Sequence, residues 1–515
     1  MILATIYFLF FCFLIGKLSF FKDDVISLKF IFGILLVKCI GCVAYYWIYF
    51  CYYPVGFNGD SASTLHDAKI MYDALPNHPS DFLKMVFGFY SNLDSDALYA
   101  PYFKHIEKWG RADVSSDFFL NDNRTPIRIN ALIMLISFGK YAVHAVVMLV
   151  LSFIGQFAFY KSFKKYFPQK EVVLAIIIFL TPSVLFWTSG VLKEPIALCL
   201  LGLFVFSFMK LFEEYQFKLK YIIVCVVSFL LFLILKPYIL ILVLIPLIIF
   251  CLVKRFKIDI YNTKKVVIFY VSFLLIIYGI GILSLKFIFN KDVINTIVVR
   301  QNDFVNLSKG GIFLLSDEKY VRFELKDTCQ FELADKKKNL YKIKPHSAYM
   351  YWQIHNLRDT MFVTNNKDTS LYLFIGSCAP SGSAIDIDRL DYSFKSFTKL
   401  IPQSFFNVLC KPFFFDSHSI LELMASMENL CFILFFIFCF IFRTKNKIDI
   451  NLLLFCISLI ITSFILIGLT TTVMGAIVRY RIPFIPFLLM IPLLYLDPSA
   501  LMKIPIVKRL FDTKA

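Results

Sequence analysis

The sequence predicts an all-α polytopic membrane protein with about 11 transmembrane helices and two large extracytoplasmic segments, the second a small α/β subdomain. Three observations predict this class. Of the 515 residues, 59% are hydrophobic and only 17% charged, against about 45–50% and about 25% in ordinary soluble domains. The apolar residues fall in long uninterrupted runs instead of at the spacing of a half-buried helix or strand. Lysine and arginine collect in alternate connections between those runs.

Crossing the hydrocarbon takes roughly 20 apolar residues. The runs 2–16, 30–50, 137–159, 171–188, 195–212, 221–235, 237–253, 266–288, 426–442, 450–469 and 482–496 are the eleven predicted spans. The first, "MILATIYFLFFCFLIGK", lacks a basic leader and an A-x-A-like cleavage site, so it reads as a retained span. The chain divides into two leading spans (1–50), a first loop with surface helices (51–136) and a six-span block (137–288). A second outer segment (289–425) precedes three final spans and a tail (426–515). Within that segment "KYVRFELKD" and "TSLYLFIGSCA" alternate as strands do.

Orientation follows from the short loops. One alternate set, beginning with Lys17, Lys22 and Lys29 and ending with Lys503, Lys508, Arg509 and Lys514, carries 22 Lys and Arg. The opposite set carries four: Lys193, Lys236, Arg479 and Arg481. The positive-inside rule makes the first set cytoplasmic and both long segments extracytoplasmic. The compartment expected is a bacterial inner membrane, with the active side facing the periplasm or outside.

The net charge of +17 is therefore a membrane signature. No basic stripe with interleaved aromatics is present, so nucleic acid is not an expected partner. Most of the 13 cysteines, such as Cys39, Cys199, Cys225, Cys251 and Cys439, sit in apolar runs, where a free thiol behaves as a small hydrophobe. Cys329 and Cys378 share the second outer segment, but sequence does not fix a pairing. No phosphate-binding glycine loop occurs in a usable context, which removes a nucleotide-sugar or ATP site. No repeat supports an inverted-repeat transporter.

The first outer loop opens with "GFNGDSASTLHDAK". Its Asn-Gly-Asp turn lets the chain leave the span and lie along the surface. A helix follows, with Ser61 or Ser63 as N-cap. Asp60 is the candidate general base and Asp67 its reserve; the plainer reading of Asp60 is a turn or capping carboxylate. The four outer cations sit in tight connections at headgroup height: Lys193 with Glu194 in "PSVLFWTSGVLKEP", Lys236 in "LILKPYIL", and Arg479 and Arg481 in "GAIVRYRIPFIPF". Each alone reads as a snorkelling anchor. Together they suit an anionic group held at that depth, such as a lipid phosphate, and the fork of Arg481 suits it best.

In architecture and in these stretches the chain resembles the GT-C-type multi-spanning glycosyltransferases that use polyprenyl-linked sugars. An acidic residue in the first large outer loop is matched by Asp60. "RYRIPFIPF" is similar to the basic, proline-bounded lead into a late span of that group. The resemblance implies a polyprenyl-phosphate or diphosphate sugar donor and a glycan, lipid or protein acceptor at the bilayer. Asp60 would deprotonate the acceptor, and the cations would hold the departing phosphate. No cofactor is fixed by the sequence. A divalent cation remains open, with D-x-D spacings at Asp94 and Asp96 and at Asp386 and Asp388.

Two other readings stay open. An O-antigen-type polymerase or ligase would lean on a late outer loop, where His418 and Arg358 stand, with His346, His355 and Arg389 nearby. A transporter or flippase would need ionisable groups inside spans, for which Lys38 and His144 are the candidates.

Overall fold

The structure is a computed structural model. It describes residues 2–53, 59–89, 97–106, 123–287, 293–309, 311–315, 320–323, 331–335, 340–343, 348–353, 356–364, 371–378, 381–417 and 419–501. Its architecture is that of a helical, multi-pass membrane protein. Among the described residues eight helices are long and apolar enough to cross a bilayer: Leu28–Tyr52, Tyr141–Tyr166, Lys193–Phe212, Pro237–Arg255, Thr263–Gly281, Ile420–Ile441, Ile450–Thr470 and Met474–Tyr495. The expected eleven is corrected to that extent. Three of the predicted spans are the shorter apolar helices Ile2–Lys17, Glu171–Leu180 and Leu219–Leu235. Ten residues of helix reach only about 15 Å, and the second of these helices stops because Thr181 and Pro182 break it.

Two compact units are present. The first comprises Met1–Phe273, Leu434–Ile460 and Ile482–Ala515; the second comprises Leu274–Ile433 and Ile461–Arg481.

The first unit opens with α1 (Ile2–Lys17) and α2 (Leu28–Tyr46). A π-helical stretch, Trp47–Tyr52, extends α2. The surface helices α3 (Asp60–Asp73), α4 (Pro79–Phe87) and α5 (Arg124–Ser137) come next. They share a small core of their own, with Met71, Phe82, Met85, Ile127 and Met134 buried together. The bundle follows: α6 (Tyr141–Phe163), α7 (Glu171–Leu180), α8 (Pro182–Trp187), α9 (Lys193–Phe212), α10 (Leu219–Leu235) and α11 (Pro237–Arg255). Helices α6 and α9 approach so closely that a Cβ on Gly202 would overlap the Gly155 carbonyl. Small residues at such a crossing are how helices pack tightly in lipid.

Proline 182 sets the local geometry of this bundle. It has no N–H to give the carbonyl of Ile178, four residues before it, and it holds Thr181 out of the helical region at ψ 123°. Gln156 of α6 donates to that carbonyl at 2.6 Å. Lys38 of α2, fully buried, donates to Gln156 Oε1 at 2.8 Å and to Thr188 Oγ1 at 3.2 Å. The other in-span candidate, His144, bridges helices: it meets Asn130 Oδ1 at 2.8 Å and Ser137 Oγ at 2.7 Å. Because the Asn130 amide nitrogen already donates to Pro126 O, its oxygen faces the ring and the Nδ1 proton is the donor.

The second unit holds α13 (Val293–Lys309), following α12 (Thr263–Phe287) in the chain. Among the described residues seven strands then run between Gly311 and Cys378: β1 (Gly311–Leu315), β2 (Tyr320–Phe323), β3 (Phe331–Asp335), β4 (Leu340–Ile343), β5 (Ala348–Gln353), β6 (Asn356–Thr364) and β7 (Leu371–Cys378). They form one antiparallel sheet of order β3-β4-β7-β1-β2-β5-β6. β7 lies between β4 and β1 and joins the two halves. After the strands come α14 (Phe394–Cys410), α15 (Ile420–Ile441), α16 (Ile450–Thr470) and α17 (Met474–Tyr480). The last apolar segment returns to the first unit as α18 (Ile485–Tyr495).

Candidate functional site at the start of α3

Tyr45 and Tyr49 are four residues apart, so both project from one face of the helix. Their rings stack at 4.6 Å. Trp187, which ends α8, meets them at 6.5 and 6.1 Å, and Phe186 packs on Tyr45 at 5.3 Å. π-helical turns such as the one carrying Tyr49 often occur where a helix builds a site.

Two chain segments press on this aromatic pair. A Cβ on Gly59 would stand 3.2 Å from the Tyr49 ring, and one on Gly190 only 2.6 Å from the Tyr45 ring. The Tyr45 hydroxyl and Ser61 Oγ are hydrogen-bonded at 2.9 Å. The start of α3 and the turn before α9 are thereby brought to the same rings. Asp60, exposed, is the first residue of α3; Lys193, half-buried, is the first of α9. Two helix N-termini, each the positive end of a helix dipole, flank this aromatic patch.

The N-cap of α3 is Gly59. Ser61 and Ser63, expected as caps, are instead buried inside the first turns. Asp60 lies in the first turn, where a carboxylate favours the dipole whatever else it does. Asp67 is fully buried, with His66 Nδ1 at 3.4 Å. Its position makes it a buried carboxylate of α3.

Glu194 and Lys236 form a buried ion pair at 3.1 Å, their side chains 3% and 5% exposed. Lys236 caps the junction of α10 and α11, and Glu194 is the acidic residue in the first turn of α9. The pair therefore neutralises much of the charge expected of Lys236.

In the second unit Arg481 is 2% exposed. Its guanidinium donates to Val408 O at 3.2 Å, Lys411 O at 3.4 Å and Asn429 Oδ1 at 2.7 Å, with Glu428 Oε2 at 3.7 Å. The fork favoured for a phosphate clamps two backbone carbonyls and an amide oxygen. Arg479, two residues earlier, is half-buried. Arg358 lies on β6. His418, His346, His355, Asp94, Asp96 and Cys329 lie outside the described residues. Asp388 pairs with Lys399 at 2.7 Å, both exposed. This hydrogen bond holds the Asp388 carboxyl below the ordinary carboxylate range and the Lys399 ammonium above its own. Among the described residues no three His, Cys, Asp or Glu are grouped to hold a metal ion.

The aromatic face was partly legible, because Tyr45 and Tyr49 stand at helical spacing. Asn429 and Gln156 were not, since neither differs locally from any polar residue in an apolar run. No protein-family model matches the chain, and no characterised protein or solved structure matches it either.

Proposed function

We propose that this protein is a membrane glycosyltransferase that moves a sugar from a polyprenyl phosphate or diphosphate to an acceptor hydroxyl at the outer face of a bacterial inner membrane. One observation carries the reading. An exposed carboxylate, Asp60, and a half-buried ammonium, Lys193, each begin a helix whose lead-in glycine, Gly59 or Gly190, packs on Tyr49 or Tyr45 of the stacked pair. Aromatic faces suit the apolar faces of a sugar ring, and a carboxylate beside them suits an acceptor hydroxyl.

In this reading Asp60 takes the acceptor's proton as its oxygen attacks the anomeric carbon. The anomeric C–O bond breaks, and its electron pair leaves on the phosphate. Lys193 and the backbone N–H groups at the start of α9 stabilise that growing charge. The three shorter apolar helices, with α7 taken together with α8, complete eleven crossings. The strands between Gly311 and Cys378 belong to an extracytoplasmic subdomain.

The transport reading rested on Lys38 and His144, and both are engaged in hydrogen bonds that close or join helices. The polymerase or ligase reading keeps its late-loop residues and is tested by the same assay.

The test uses the purified protein in lipid, supplied with lipid-linked sugars extracted from bacterial membranes, and follows release of the polyprenyl carrier by mass spectrometry. Asp60→Asn should lower release by about 10²–10⁴-fold with donor binding retained. An Asn variant that turns over like the parent returns Asp60 to a helix-start carboxylate. A parent that consumes no donor overturns the whole reading.

A further inference from the structure

The turn after α14 has an unusual backbone. Six carbonyls in it and in the last turn of α14, from Asn407 to Phe413, are engaged, most of them by side chains. Arg481 donates to Val408 O and Lys411 O. The Asn429 amide donates to Cys410 O at 3.1 Å and to Pro412 O at 3.2 Å. Lys411 N donates to Asn407 O. Phe413 O accepts from Asp416 N and from the Ser417 hydroxyl. A turn in water would leave such oxygens to solvent. Here two buried side chains, Arg481 and Asn429, take four of them.

The same turn exposes aromatic surface. Phe415 is 89% exposed and Phe414 62%. Fully burying one such side chain is worth about 1.5–3 kcal/mol, so two adjacent ones left to water would be a standing cost.

Depth along the spanning helices resolves both observations. Helices α15 and α16 have 22 and 21 residues, or about 33 and 31 Å, close to the roughly 30 Å of hydrocarbon. Their ends therefore mark its edges. Ser417 bonds Ser426, and Pro412 bonds Asn429. These partners stand six and nine residues along α15 from Ile420, about 9 and 13 Å in. Helix α14 agrees. Its Leu400 shares a core cluster with Leu469, beside the end of α16, whereas Phe405 meets Phe464 at 6.1 Å, about 9 Å below that end. Its charges, Lys395 and Lys399, lie in the first half, and none follows from Leu400 to Cys410.

We infer that α14 and the turn after it form a re-entrant, bilayer-inserted element, with Phe414 and Phe415 embedded among the acyl chains of one leaflet. Non-helical backbone is tolerated at membrane depth only where its polar groups are satisfied by protein, and Arg481 and Asn429 supply that satisfaction. The turn continues a lipid-facing stripe on α15, where Leu423, Met427, Leu430 and Leu434 are exposed at helical spacing. The occupant of this surface is phospholipid acyl chain. The inference does not depend on the proposed glycosyl transfer.

The experiment places the full chain in bilayer discs containing phosphatidylcholine with a diazirine midway along one acyl chain. After irradiation, adducts are mapped by mass spectrometry, and the stripe from Leu423 to Leu434 serves as the internal standard. Adducts within 413–415 at a yield similar to that of the stripe are expected. A labelled stripe with no adduct in 413–415 places the turn outside the hydrocarbon and overturns the inference.

Discussion

Gln156 donates a hydrogen bond of 2.6 Å to the carbonyl of Ile178, the acceptor that Pro182 leaves without a helical partner. Replacing Gln156 by Leu keeps the volume and removes the donor. A buried acceptor left bare costs about 1–3 kcal/mol. Gln156→Leu should lower the thermal midpoint in detergent, and the further change Pro182→Ala should restore part of the loss by returning an N–H to Ile178. An unchanged midpoint in the single variant would mean that the carbonyl finds another donor.

The ion pair between Lys236 and Glu194 is buried on both sides. Removing one partner strands a charge, which typically costs about 3–5 kcal/mol. Lys236→Met and Glu194→Gln should each destabilise strongly, whereas the double variant should lose less than the two together. Additive losses in the thermodynamic cycle would show that each side chain is stabilised by something other than its partner.

The two arginines of "RYR" should behave differently. Arg481→Lys cannot reach Val408 O, Lys411 O and Asn429 together with a single ammonium, so folded yield and thermal midpoint should fall. Arg479→Lys should cost less in both, because Arg479 is half-buried where Arg481 is enclosed. If Arg479 contacts donor phosphate, affinity for polyprenyl phosphate should drop in that variant alone. Two variants with equal midpoints would remove the clamp assigned to Arg481.

Lys170 links pH to stability. Its ammonium donates to Leu493 O at 3.0 Å and Leu494 O at 3.3 Å, in the last turn of α18. Burial pushes its pKa down to about 8. Below pH 8 the folded and unfolded chains both hold this proton, and the folded state bears the full burial cost. From pH 8 up to the ordinary lysine range the folded chain binds fewer protons, so this residue's contribution to stability rises with pH. In melting curves taken from neutral pH to about pH 10, the parent should gain stability relative to Lys170→Met. Parallel curves would show that Lys170 titrates alike in both states.

The sequence by itself determined the membrane class, the positions of most long apolar helices and the scarcity of cations in one set of loops. These properties are local: a run of apolar residues must satisfy its own backbone, and its length against the bilayer is read by counting. Tertiary structure decided which polar groups meet. Lys38, Lys236 and Arg481 look alike in sequence, as cations in or beside apolar runs. In the fold they serve a glutamine, a glutamate and a set of carbonyls, on partners 118, 42 and up to 73 residues away. A buried charge is stable only where such a partner arrives, and its arrival depends on helix crossings that composition does not encode. For the same reason Asp60 could be singled out from its loop, but its seat beside Tyr45, Tyr49 and the turn leading to Lys193 follows from how α2, α3 and α8 pack.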